Sequence, residues 1–265
     1  MIGFDRLGKN GRFGNQMFQY AALKGIAKNN DYDFCVPSGP KTEEDFYDEE
    51  NQHKLFIAFE MSNVKETGNF SGNYLQESTY TFDKELFENC KDNVNLYGFF
   101  QTEKYFKHCE EEIRNQFKFK EEIVNECSDI IEECFDNPIA LHIRRGDFLI
   151  NSGNHYNQSL DYYEKALSKF DSKRQVVIFS DDPQWCVEQK LFESDRFIVS
   201  SGNDPYVDLY LMTQCSDFII ANSTFSWWGA WLANKGKVIA PKKWFGPNNS
   251  HLNTKDLYPE HWEII

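Results

Sequence analysis

The chain has 265 residues, enough at roughly 150 residues per domain for one large domain or two modest ones. An apolar fraction of 40% and an aromatic fraction of 16% exclude a disordered chain. Lys plus Arg number 28 against 42 Asp plus Glu, a net charge of −14, which excludes a broad nonspecific grip on nucleic acid or anionic lipid.

The N-terminus, Met1 to Arg6, has no basic region followed by an apolar core of signal-peptide length, and no window approaches 18 uninterrupted apolar residues. A cytoplasmic location is expected, with room for a peripheral role at a membrane. Gly8-Lys-Asn-Gly-Arg-Phe-Gly14 is a glycine-spaced loop running into a predicted helix from Asn15 to Ala27, whose Met17, Phe18, Ala21, Ala22 and Gly25 share a packed face. The loop brings backbone amides to a helix N-terminus, a geometry that suits anions. It is not the dinucleotide fingerprint, because its glycines recur every third residue. A bare glycine loop is more often a plain turn.

From about residue 29 to 135 the chain is polar and acidic, with runs such as Glu43-Glu44-Asp45 and Asp48-Glu49-Glu50, and strands are weakly signalled. Asp31-Tyr32-Asp33 has the spacing of a metal-holding D-x-D, but in an acidic, turn-like setting it reads as a solvated loop. From Pro138 onward the pattern becomes regular. Residues 139–143, 176–179, 218–221 and 237–240 are short apolar runs separated by helix-like stretches, which predicts parallel strands with crossover helices. Helix starts are signalled by Ser159, by Asp182 before Pro183, by Asp204 before Pro205, and by Ser223 or Thr224, with Gly236 as a stop after Asn234.

The seven cysteines form no C-x-x-C pair or zinc-spaced Cys/His cluster and read as reduced thiols. The six histidines are scattered, so no metal ligand set is predicted. No G-x-S-x-G elbow is present.

Three constellations could carry chemistry. Strand alternation through Leu141-His-Ile-Arg-Arg-Gly-Asp147 puts His142 and Arg144 on one side, so that Arg144 can face a ligand beyond the strand end and bind a phosphate in bidentate fashion. The competing reading is a structural Arg144–Asp147 ion pair. Ser223 and Thr224 follow a strand and open a helix, where hydroxyls and free first-turn amides converge. The bland alternative is simple capping; Trp227, Trp228 and Trp231 read as core. After Phe179-Ser180, Asp181 could accept from guanine while Asp182 caps the next helix.

Together, Gly11-Arg-Phe-Gly-Asn-Gln-Met-Phe-Gln-Tyr-Ala21, His142-Ile-Arg-Arg-Gly-Asp147 and Asn222-Ser-Thr-Phe-Ser-Trp-Trp-Gly229 resemble the bacterial α-1,2-fucosyltransferases of glycosyltransferase family 11. Leu96-Tyr-Gly-Phe-Phe-Gln-Thr-Glu-Lys-Tyr-Phe106 and Ser159-Leu-Asp-Tyr-Tyr163 extend the similarity, which is weakest over residues 29 to 90 and the C-terminal tail. The resemblance implies an α/β GT-B architecture of two Rossmann-like domains facing across a cleft. Residues 1–135 would form the acceptor side and 136–265 the GDP-fucose-binding side. It implies transfer of L-fucose from GDP-β-L-fucose to the 2-hydroxyl of a terminal galactose, with inversion and without a metal or other cofactor. Partners would be GDP-fucose and a galactose-terminated glycan, including surface-polysaccharide precursors whose lipid anchor would bring the protein to the inner membrane.

By the same resemblance Asn15 lies at the reaction centre, with Arg12 and Gly14 in the donor-binding loop. Arg144, Ser223 and Thr224 hold the diphosphate, His142 and Asp181 contact the nucleotide, and Phe225 stacks on guanine. Asp147 and His155 are the candidate general bases, beside late proton loss with no dedicated residue. Asn15 cannot fill that role, because a neutral amide has no accessible titration. The alternatives are another fucosyl linkage (α-1,6 or protein O-fucosylation), a carbohydrate-binding protein without catalysis, and a nucleotide sensor.

Overall fold

A computed structural model describes residues 1–45, 52–67 and 70–265. The acidic run Asp48-Glu49-Glu50 lies outside the described residues. The chain packs as two units, residues 1–120 with 253–259, and residues 121–252 with 260–265. The expected boundary at 135/136 therefore moves to 120/121. The Glu121–Cys134 helix packs on the Pro205–Gln214 helix of the second unit, which explains its allegiance.

In the first unit, β1 (Ile2–Gly3), β2 (Phe34–Cys35), β3 (Asn73–Gln76) and β4 (Val94–Tyr97) form a parallel sheet in the order β2-β1-β4-β3. The helix Phe13–Asn29 begins two residues earlier than its predicted start and is buried on nearly every side. Even its polar Gln16 and Gln19 are inside: Gln16 Oε1 accepts the Lys54 N–H and Gln19 Nε2 donates to two backbone carbonyls.

The second unit holds six parallel strands: β5 (Ile139–Ile143), β6 (Val176–Ser180), β7 (Phe197–Val199), β8 (Asp217–Ile219), β9 (Val238–Ala240) and β10 (Glu263–Ile264), ordered β10-β9-β8-β5-β6-β7. All five residues of β5 are buried, as expected where helices cover both faces. Ile139, Leu141 and Ile143 join Tyr163, Leu167, Val176 and Ile178 in one core. On the opposite face the helix Thr224–Ala233 packs against Pro205–Gln214. Trp227, Trp228 and Trp231 are buried there, with Trp227 and Trp228 edge to face at 5.0 Å, as the core reading expected.

Counted from β7, the strands run 3-2-1-4-5-6, the doubly wound order whose direction reverses between β5 and β8. Ligands of such sheets sit beyond the carboxyl ends of the strands at that reversal. Among the described residues no helix is long and apolar enough to cross a membrane. Cys35, Cys90, Cys109, Cys127, Cys186 and Cys215 are buried free thiols, in keeping with the reduced reading, while Cys134 is outside the described side chains.

Candidate active site

Three strand ends meet at the reversal point of the second sheet. Beyond β5, Arg144 donates from Nη2 to Asp147 Oδ1 at 2.5 Å, while its Nη1 lies 3.2 Å from Asp181 Oδ2 at the end of β6. The Arg144 side chain is 15% exposed, and two carboxylates brace its guanidinium. Thus the structural ion pair weighed against phosphate binding exists, and it orients the arginine that a phosphate would meet.

Asp181 Oδ1 accepts the backbone N–H of Arg145 at 2.8 Å and its Oδ2 faces Arg144. A Cβ at Gly146 would come within 2.4 Å of Asp181 Oδ2, so only glycine allows the carboxylate this close to the turn. Asp182 caps the helix Pro183–Val187 through the N–H of Trp185, as its spacing predicted. Asp182 also accepts from Arg145 Nε at 3.0 Å, and that guanidinium stacks 3.8 Å from the Trp185 ring centre.

His142 lies beneath this surface, 4% exposed, with Nδ1 2.9 Å from Ser226 Oγ. The Ser226 hydroxyl donates to the Ser223 carbonyl at 3.3 Å, so it accepts from His142, whose proton is on Nδ1 and whose Nε2 keeps a lone pair. Burial first, then the Arg144 charge, push the ring down to about 3, and it stays neutral at physiological pH. Its ring centre is 5.5 Å from that of Phe225.

Ser223 caps the Thr224–Ala233 helix by accepting from Phe225 N–H at 3.4 Å; Thr224 and Phe225 are half-buried at its first turn. The hydroxyls were expected on this turn, but Asn222 was quoted only as part of the motif and given no role. Asn222 Nδ2 donates to the carbonyls of Tyr156 (2.8 Å) and Trp244 (2.7 Å), and Oδ1 accepts from Gln158 (3.1 Å). It fixes two loops to the end of β8. An amide directly after an apolar strand was the available signal.

His155 stacks on Phe148 with ring centres 4.1 Å apart, and burial pushes its pKa down, with Asp147 and Arg144 acting in opposite directions. Arg144, Asp147 and His155 thus share one neighbourhood, whereas Asn15, Arg12 and Gly14 belong to the first unit. Arg12 is the extended residue ahead of the Phe13–Asn29 helix, Gly14 is buried in its first turn, and Asn15 follows with its Oδ1 accepting from Gln101 Nε2 at 2.8 Å. Asp31 and Asp33 are exposed in a surface depression with Lys28 and Asp92, consistent with a solvated loop.

Two parallel α/β units, one doubly wound with an arginine and a helix N-terminus at its reversal point, are the GT-B type of glycosyltransferase fold. The chain belongs to glycosyl transferase family 11, whose profile matches residues 4–265, and it is a glycosyltransferase. It is 31% identical to the O-antigen biosynthesis glycosyltransferase WbnK of Escherichia coli, over 94% of this chain and 97% of that one. It is 30% identical to an alpha-1,2-colitosyltransferase of Escherichia coli, over 96% of each. The galactoside alpha-(1,2)-fucosyltransferase 1 of Homo sapiens is 26% identical, over 86% of this chain and 65% of that one. Among solved structures, NodZ alpha-1,6-fucosyltransferase soaked with GDP-fucose superposes with a TM-score of 0.58 at 17% identity, covering 95% of this chain and 97% of that one. POFUT1 in complex with GDP-fucose gives 0.58 at 12%, covering 88% and 94%. At these identities the two structures establish the fold alone.

Proposed function

We propose that this glycosyltransferase moves L-fucose from GDP-β-L-fucose, with inversion and without a divalent metal, to the 2-hydroxyl of a terminal galactose in an oligosaccharide or surface-polysaccharide precursor. The observation that carries the reading is Arg144, braced by Asp147 and Asp181 at the sheet's reversal point. As the bond from C1 to the phosphate oxygen breaks, its electron pair stays with GDP and positive charge develops on the sugar. A fixed guanidinium at the phosphate therefore stabilises the transition state more than the ground state.

Ser223, Thr224 and the first-turn amides of the ten-residue helix they open add donors to the same diphosphate. Phe225 offers a half-buried ring to guanine, and buried His142 holds that ring and Ser226 in place. Asp181 acts on the donor through Arg144. Asp147, paired with Arg144, and His155, which feels both charges, are the candidates to take the acceptor proton. Asn15, with Arg12 and Gly14, serves the transferring end, and the first unit supplies the acceptor side. The work would be done in the cytoplasm, with lipid-linked acceptors met at the inner membrane face.

The match to an alpha-1,2-colitosyltransferase favours a second donor, colitose being fucose without its 3-hydroxyl. GDP release with either GDP-sugar, measured in EDTA over a panel of galactose-terminated glycans, separates the two. Acceptor-dependent turnover that survives EDTA and falls about 100- to 1,000-fold in Arg144→Ala is the expected outcome. Turnover lost in EDTA sinks the metal-free mechanism, and turnover with GDP-colitose alone replaces the donor.

A further inference from the structure

The first unit contains a polar network that ends on Asn15. Asn15 and Gln19 stand four residues apart on one face of the Phe13–Asn29 helix and meet the loop that follows β4. Gln19 Nε2 donates to the carbonyls of Asn10 (3.0 Å) and Gly98 (3.1 Å), joining the glycine loop to this second loop. Phe99 and Phe100 each donate a backbone N–H to Glu77 Oε2 at 3.0 Å, and the Tyr105 hydroxyl donates to Oε1 at 3.4 Å. The carboxylate clamps a turn in which Phe100 has φ +53°. The next residue, Gln101, is 8% exposed.

A side-chain amide has a donor end and an acceptor end, and the hydrogen-bond network decides which way it points. Here the polarity runs in one direction. The Tyr80 hydroxyl donates to Gln101 Oε1, and Gln101 Nε2 donates in turn to Asn15 Oδ1. Asn15 Nδ2 has no hydrogen-bond partner among the described residues and is available to a ligand. Gly11 guards this arrangement: it has φ +88°, and a Cβ there would come within 2.2 Å of Asn15 Nδ2.

Building on the role given to Asn15 above, we propose that Gln101, held by Tyr80, is a positioning residue that presents Asn15 with its amide nitrogen forward, making Asn15 a hydrogen-bond donor to the transferring group. A donor suits an oxygen that gains negative charge as the glycosidic bond breaks. It cannot receive the acceptor's proton, so the base is sought elsewhere.

The decisive variant is Gln101→Glu. At neutral pH its carboxylate accepts only, so Asn15 turns its nitrogen inward and kcat falls, roughly 10- to 100-fold, with KM for GDP-fucose nearly unchanged. Lowering the pH from about 8 to about 4, below the ordinary glutamate value, protonates the carboxyl, restores a donor to Asn15 and raises kcat relative to the native protein. Tyr80→Phe, which keeps the ring, gives a smaller kcat loss of the same kind. The side-chain amide NMR signal of Asn15, assigned by its disappearance in Asn15→Ala, moves with pH in Gln101→Glu and stays constant in the native protein. A stable Asn15 signal, or a Gln101→Glu profile parallel to the native one while Asn15→Ala is inactive, overturns the positioning role. If Asn15→Ala keeps full turnover, the assignment of Asn15 to the reaction centre falls, and the positioning role with it.

Discussion

Buried ionisable groups set opposing pH slopes for this protein. Glu77 is raised to about 7, chiefly by burial, with Asp83 adding to the rise and the Phe99, Phe100 and Tyr105 donors opposing it. Its folded pKa exceeds the unfolded value, so the folded state binds the extra proton and loses stability as pH climbs from the ordinary carboxylate range to about 7. The loss is on the order of 3 kcal/mol for a shift of this size. Glu77→Gln should flatten that part of a denaturant-derived stability profile. His142 has the opposite sign: its pKa is depressed to about 3, so stability is lost as pH drops below the ordinary imidazole value. His142→Gln should shallow the acid side and leave the neutral side alone. Equal slopes in native and variant profiles would show that neither group is buried as described.

Side-chain amides tie down loops at the ends of strands, and Asn222 is the clearest case. Its replacement by alanine takes a donor from the carbonyls of Tyr156 and Trp244, while Gln158 Nε2 keeps only its bond to the Lys243 carbonyl. A loss of about 1–3 kcal/mol is expected in chemical unfolding. Such ties mark the limit of what could be read in advance. The long apolar strands β5 and β6 and the Asp182 and Ser223 caps were legible because periodicity and capping chemistry are local. Ser159 and Asp204 do precede helices, at Leu160 and Pro205, but neither side chain makes a capping bond. The two-residue strands β1, β2 and β10 carry no local pattern and exist only through their neighbours. Motif spacing brought Arg144, Asp181 and Ser223 to one sheet edge, yet which partner each carboxylate chose depended on contacts between residues about 36 apart, as in Asp181 with Arg145. Gln101 was passed over for the same reason, since it meets Asn15 across 86 positions.

At the scale of the whole molecule, the final residues serve both units. Asn253–Pro259 returns to the first unit, where Asp256 accepts from Phe82 N–H at 3.0 Å and pairs with Lys104 at 2.6 Å, while Glu263–Ile264 forms an edge strand of the second sheet. Removing everything after Leu252 should therefore lower the unfolding midpoint of both units, not only the second; tryptophan fluorescence reports the second, which contains all six tryptophans among its residues, and hydrogen exchange at Phe82 reports the first. A midpoint unchanged in the first unit would mean that Asp256 contributes nothing there.

That returning segment also governs the order of events on the ribosome. Residues 1–120 emerge first, but Phe82 and Lys104 cannot meet Asp256 until residues 121–252 of the second unit have been translated. At 5–20 residues per second the delay is roughly 10 s. The half of the protein begun earliest thus stays open almost to the end of translation, and a nascent chain stalled anywhere before residue 256 exposes an unfinished first unit to proteolysis and to chaperones.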